Sequence, residues 1–360
     1  MKRIITLVLV FISIFVLSAC NSGKVLNVLN WNEYINEDLV AQFEEEYGVR
    51  VVLDPVDTNE AMYTKIKAKT TSYDVVFPSD YMIHKLQKEG LLHKLDYNLL
   101  TNYASENFDP KLEELRDEYF EGNRDFAIPY FWGTLGIMYN ERVEGLGALI
   151  EEHGWRVFFD QELTGNAKVT MYNSSRDAIA AAQLYLGYDL NSTNLTELNE
   201  VEKLLDAQNY HAWGTDDLKE QVAKGNFDVA LVYSGDFFDV LYAYMEDGED
   251  INFNMIVPDT NNVWFDGMVI PTTAQDVDMA HNFINFMIDP ENAYTNATEI
   301  GYCPPITSAY LAMKEDPDYA DVINEYPYYP GLVTNGTVYK DLGHDIYQRM
   351  ELILTNVKGN

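Results

Sequence analysis

Three apolar runs near the N-terminus constrain what the chain can become. Residues 25–29, residues 49–53 and "YDVVF" (73–77) are nearly continuous in apolar side chains instead of alternating with polar ones. A strand that is apolar on both faces must be covered on both, as in a parallel sheet held between helices. The segments between the runs supply those helices. Asn36 can cap a helix in which Leu39, Val40, Phe43 and Tyr47 keep helical spacing, and Gly48 is suited to stop it. A second helix is predicted over Asn59–Ala68. The order is β-α-β-α-β, and the fold class is α/β.

The pattern recurs later in the chain. "FAIPYFWGTLGIMYN" (126–140) is a long extended apolar stretch interrupted by Pro129 and Gly133, suited to cross from one domain to another. After it come a "KVTMY" strand, helices over 176–187 and 218–223, and the strand "FDVALVYS". "FNMIVP" (253–258) and "WFDGMVIP" (264–271) read as the return, followed by helices over 279–287 and near 346–357. A chain of 360 residues is long enough for two domains with separate cores.

The first twenty residues stand apart. Lys2 and Arg3 precede an apolar run over 4–17 and the tetrapeptide "LSAC", ending at Cys20. This layout is that of a secretory signal and is short for a membrane span. The one other cysteine is Cys303. The net charge of −34 argues against nucleic acid as a partner and suits either a solvated acidic surface or attraction of cations. No nucleophile elbow, Walker loop, H-E-x-x-H, C-x-x-C or G-x-G-x-x-G occurs, and the six histidines are scattered without metal-ligand spacing. Neither catalytic residue, metal nor cofactor is expected.

What recurs is an aromatic and a carboxylate at the end of an apolar strand. Trp31, Glu33 and Tyr34 form one such end, and Ser79, Asp80 and Tyr81 another. Tyr233, Ser234 and Asp236 form a third, and Trp264 with Asp266 a fourth. Ligands of open α/β sheets sit at the carboxyl ends of strands, so four ends from both halves can converge on one cleft. Aromatic faces attract ammonium groups and bury methylenes, while carboxylates give charge-assisted bonds. The residues thus fit an organic cation with an aliphatic stem. Sugars also stack on Trp and bond to Asp, so a receptor for a sugar, thiamine or ferric ion is the alternative, and Glu33 with Asp266 could serve a secreted glycosidase. Asp80, just after a strand, is expected to cap the next helix.

The pieces "NWNEYI", "TNEAMYTKIKAKTTSYDVVFPSDYMIHKLQKEGLL", "IPYFWGTLGIMYN", "WFDGMVIP" and "IGYCPPI" together resemble the spermidine/putrescine-binding proteins of bacterial polyamine ABC importers. The resemblance spans nearly all of the chain beyond the signal. It implies a type II periplasmic-binding-protein fold, two α/β lobes joined by crossing strands around an interlobe ligand cleft. One lobe is expected from 24–134 with 262–310, the other from 135–261 with 311–360. It further implies that Trp31, Asn32, Glu33, Tyr34, Ser79, Tyr81, Ser174, Asp177, Tyr233, Trp264, Asp266, Tyr302 and Tyr339 line a polyamine site. The chain departs from the family at Asn173 and Ser174, where members often carry aspartates; Asp236 could supply the missing charge. "LSAC" resembles a lipobox, implying cleavage before Cys20 and a lipid on its sulfur. The protein is then expected outside the cytoplasm, tethered to the membrane, monomeric, and partnered by a permease.

Overall fold

The computed structural model describes residues 24–359. The expected signal segment (1–20) and Cys20 lie outside the described residues. The first three runs form β1 (Lys24–Trp31), β2 (Val49–Val56) and β3 (Val75–Val76). β1 pairs in parallel with both of the others. The helix Glu37–Tyr47 starts at Asn36, whose side chain accepts the Leu39 N–H, and stops at Gly48 in the left-handed region. The helix Asn59–Ala68 occupies its predicted residues.

β3 is shorter than "YDVVF". Its extended backbone continues on both sides, with the Asp74 N–H on the Asn27 carbonyl and the Phe77 N–H on that of Leu29. The Asp74 side chain is not in a ladder but accepts from the amides of Asn27, Gln275 and Asp276, tying strand to loop.

The crossing stretch is one strand, β4 (Ala127–Asn140), buried along its whole length. Residues 127–134 of β4 pair antiparallel with β9 (Thr260–Val269), and residues 135–139 pair with β7 (Val229–Tyr233). Its last residues also pair with β8 (Phe253–Ile256). β9 meets β3 at Val269 and a short parallel strand, β10 (Asn335–Thr337), at its beginning. The sheet order β2-β1-β3-β9-β4-β7 therefore runs without a break from one α/β unit to the other. Pro129 has no N–H to give to a central ladder, and the register shifts between Pro129 and Phe131, a bulge that absorbs the missing donor.

"KVTMY" divides its pairing. Val169 bridges to Val229, whereas β5 (Met171–Tyr172) pairs with β6 (Trp213–Gly214). The helix Ser175–Leu186 follows, and the helix Ser234–Asp247 begins directly after β7. Among the described residues no helix is long and apolar enough to cross a membrane.

Gly133 lies where β4 passes directly against the Trp264 ring of β9. A Cβ there would lie 2.6 Å from the Trp264 ring and 2.8 Å from Ser234 Oγ. Gly133→Ala should therefore push Trp264 aside and lower stability by about 1–3 kcal/mol, measurable by urea denaturation; a variant as stable as wild type would contradict this packing.

Candidate functional site

The turn after β1 is held by long-range hydrogen bonds. The Tyr130 hydroxyl donates to the Tyr34 carbonyl (2.7 Å), Asn296 Nδ2 donates to that hydroxyl (2.8 Å), and Asn296 Oδ1 accepts the Asn36 N–H (2.9 Å). The turn thereby delivers Tyr34, 7% exposed, against Tyr130, Phe131 and Tyr302. Asn32 and Glu33 stay exposed on its outside, Glu33 at a positive φ of 49°. The two residues at the heart of "NWNEYI" thus lie at the rim, and the flanking aromatics point inward.

From Tyr34 a chain of edge-to-face rings leads across both units. Tyr34 meets Tyr302 at 5.2 Å, Tyr302 meets Trp264 at 5.5 Å, Trp264 meets Tyr233 at 5.7 Å, and Tyr233 meets Tyr172 at 5.3 Å. Tyr172, at the end of the "KVTMY" strand, is an aromatic strand end without an adjacent carboxylate and was not among the expected residues.

A buried aspartate stands at several of these rings. Asp266 is on β9, and its backbone bridges to Ser79 at the end of β3. Burial pushes its carboxyl up to about 7, with Ser79, Tyr34 and Trp31 around it pulling the other way. Trp31 Nε1, Tyr34 OH and Asp266 Oδ1 are all buried without a well-formed hydrogen bond of their own, so the group retains bonding capacity. Ser79 is itself positioned by Asn59, which donates to its Oγ and accepts its N–H.

Asp177 lies in the first turn of the helix Ser175–Leu186. Tyr233 and Tyr339 donate to its two oxygens at 2.8 and 2.9 Å. Ser174 caps this helix and its Oγ accepts the Asp177 N–H. Arg176 stacks on the Tyr339 ring at 4.2 Å and donates to the Leu190 carbonyl and Asn191. Asn173 is exposed and receives Lys358 Nζ at 2.5 Å.

Asp236 is in the first turn of the helix Ser234–Asp247. The Tyr302 hydroxyl donates to its Oδ1 (2.9 Å), and Lys219 Nζ stands 3.4 Å from the same oxygen. Burial raises Asp236 to about 6, with Lys219 opposing the rise. Lys219 is held above its ordinary value: burial works against its charge, but Asp236 and Asp239 outweigh it. Gly235 is required here, because any side chain would collide with the Tyr302 ring.

Asp80 corrects one expectation. Ser79 is the N-cap residue and makes no side-chain cap bond, while Asp80 is the first helical residue and accepts the Tyr81 N–H at 2.6 Å. Asp80 is fully buried with Oδ2 unpaired, and burial holds its carboxyl well above the ordinary value. Asp266 adds to that rise, and Arg176 and the Tyr81 and Phe265 amides oppose it. Beside it the Tyr81 hydroxyl donates to Glu60 and accepts from Tyr347 (2.9 Å), a residue of the C-terminal helix His344–Gly359.

Burial and the neighbouring acids hold the phenols of Tyr34, Tyr233, Tyr302 and Tyr339 well above their usual range, so they act as neutral donors. The structure thus brings together Trp31, Tyr34, Ser79, Tyr81, Asp177, Tyr233, Asp236, Trp264, Asp266, Tyr302 and Tyr339. It leaves Asn32 and Glu33 outside and gives Ser174 a capping role. The ensemble offers carboxylates for cationic ends and ring faces for an apolar stem.

Two α/β lobes on crossing strands, with buried acids and aromatics between them, define the periplasmic-binding-protein class. The chain belongs to the bacterial extracellular solute-binding protein family, whose profile matches residues 38–324. It is 29% identical over 345 residues to the spermidine/putrescine-binding periplasmic protein of Escherichia coli, covering 92% of each chain. It is 34% identical over 277 residues, 75% of each chain, to the putrescine-binding periplasmic protein SpuD of Pseudomonas aeruginosa. Among solved structures, a putative spermidine/putrescine ABC transporter protein from Listeria monocytogenes superposes with a TM-score of 0.79 at 33% identity, covering 93% of this chain and 99% of that one. This is a family of solute binders, not of enzymes.

The raised carboxyls fix a pH response. Asp266 and Asp236 bind protons more tightly folded than unfolded, so their stabilising effect is complete below about pH 4 and is lost as pH rises through about 6 to 7. Ligand-free protein should lose stability, on the order of a few kcal/mol, from pH 4.5 to 7.5. Asp266→Asn should flatten that slope in urea titrations; an unaltered slope would exclude Asp266 as its source.

Proposed function

We propose that this chain is the substrate-binding subunit of a polyamine ABC importer. It captures spermidine or putrescine between its lobes and hands it to a membrane permease, while ATP hydrolysis is done by another subunit. The observation that carries this reading is the row of rings with Asp177, Asp236 and Asp266 buried along it. Each ring face contributes about 0.5–2 kcal/mol to an ammonium, and each buried methylene about 0.8 kcal/mol. Water exclusion on lobe closure strengthens the ion pairs.

The lobes are taken as 24–134 with 262–310 and 135–261 with 311–360. The change of β4 partner at Thr134/Leu135 supports that division. The ligand contacts are assigned to Trp31, Tyr34, Ser79, Tyr81, Asp177, Tyr233, Asp236, Trp264, Asp266, Tyr302 and Tyr339, with Asn32, Glu33 and Ser174 at the edge. A lipid on Cys20 would keep this monomeric receptor at the outer face of the membrane.

An ammonium needs Asp266 ionised, so binding must release its proton. Calorimetry with putrescine and spermidine at pH 6.5, in buffers of different ionisation enthalpy, should report about one proton released, and affinity should rise from pH 5.5 to 7.5 and then level off. Asp266→Ala should abolish binding. A protein that ignores every polyamine while responding to a sugar would overturn the reading.

A further inference from the structure

Lys219 is unusual for the place it occupies. It comes from the short helix Asp217–Ala223 and its side chain is only 13% exposed. It reaches two carboxylates of the neighbouring helix, Asp239 at 2.7 Å and Asp236 at 3.4 Å. Asp239 is 43% exposed, and a pair with it alone would be an ordinary surface contact of little worth. Asp236 is different. It is 7% exposed, it also takes the Tyr302 hydroxyl, and its Oδ2 is buried and unpaired. Tyr302 packs edge-on against both Tyr34 and Trp264, so Asp236 is part of the aromatic row.

We propose that Lys219 is a resident ammonium that answers Asp236 from within the protein and thereby sets the cleft to prefer a diamine over a triamine. The inference rests on the polyamine reading and deepens it. Four carboxylates are buried around the row: Asp80, Asp177, Asp236 and Asp266. Two protein cations stand among them, Arg176, which acts on Asp80, and Lys219 on Asp236. Asp177 and Asp266 are left for ligand, which matches two ammonium ends. A third amine brought to Asp236 would meet the like charge of Lys219 before its acid, and like charges in a water-poor site repel strongly.

The other groups facing Lys219 agree with this assignment. Asp216, which accepts from the Tyr172 hydroxyl at 2.6 Å, adds negative potential, as does Asp239. The first turn of the helix Ser234–Asp247 favours the Asp236 charge without providing a mobile cation of its own. Lys219 is therefore the group whose removal changes the charge open to a ligand while leaving every aromatic contact in place.

Calorimetry of the full mature protein with putrescine and spermidine tests this. Wild type should bind putrescine more tightly. Lys219→Met should shift the spermidine-to-putrescine affinity ratio about tenfold toward spermidine. Asp236→Asn should move it the opposite way, because Lys219 then stands without its buried acid. Should Lys219→Met not fold, Lys219→Gln takes its place. Affinities that change by one common factor for both ligands, or a wild type that prefers spermidine, would overturn the role of Lys219. A folded wild type that binds neither amine would instead overturn the polyamine reading itself.

Discussion

The antiparallel pairing of β4 with β9 is the constraint on which the rest depends. These two strands are the continuous backbone between the α/β units, and β4 is buried from end to end. Because β4 exchanges β9 for β7 midway, one element of a single sheet serves both α/β units in succession. The cleft residues sit where that exchange happens: Gly133 opposite Trp264, Phe131 opposite Asp266, and Ser234 Oγ accepting the Thr134 N–H. The candidate site is thus built on strands buried within the central sheet, which favours precise positioning.

Around that spine the site opposes two physical tendencies. Aromatic rings exclude water and give apolar contact, and in doing so they desolvate the aspartates among them. The protein offsets this with phenol donors, the Lys219 ammonium beside Asp236 and helix N-termini, but leaves Asp266 Oδ1 without a hydrogen bond. A carboxylate met only by neutral donors, as Asp177 is by Tyr233 and Tyr339, keeps its charge for a cation, and an unpaired oxygen such as Asp266 Oδ1 adds to that demand.

Much of the fold was legible because it rests on local signals: two-sided apolar strands, the Asn36 cap, the Gly48 stop, and the long stretch that became β4. β3 shrank to two residues because its ladder overlap is a tertiary property. The fold brings the aromatic–acid strand ends near one another, whereas Tyr172 escaped that rule because no carboxylate stands beside it in the sequence. Asp80 was misplaced because local capping preference cannot see burial. Lys219 and Tyr347 carry no sequence signal: one is an ordinary residue of an amphipathic helix, and the other meets Tyr81 across 266 positions.

The hydrogen bonds of Asn296 reach further than the turn they fix. Asn296 lies in the helix Pro290–Ile300, which runs straight into Gly301 and Tyr302. The same helix therefore anchors Tyr34 through Tyr130 and carries Tyr302 at its end, while Asp266 stands beside Tyr34 on β9. One jaw of the cleft is knit together within itself: two ring faces and an acid meet through one helix, one turn and β9. The bond from Tyr302 to Asp236 is of another kind, since it joins that jaw to the far helix. The Tyr302–Asp236 bond is thus a tie by which the two sides of the ring row hold each other.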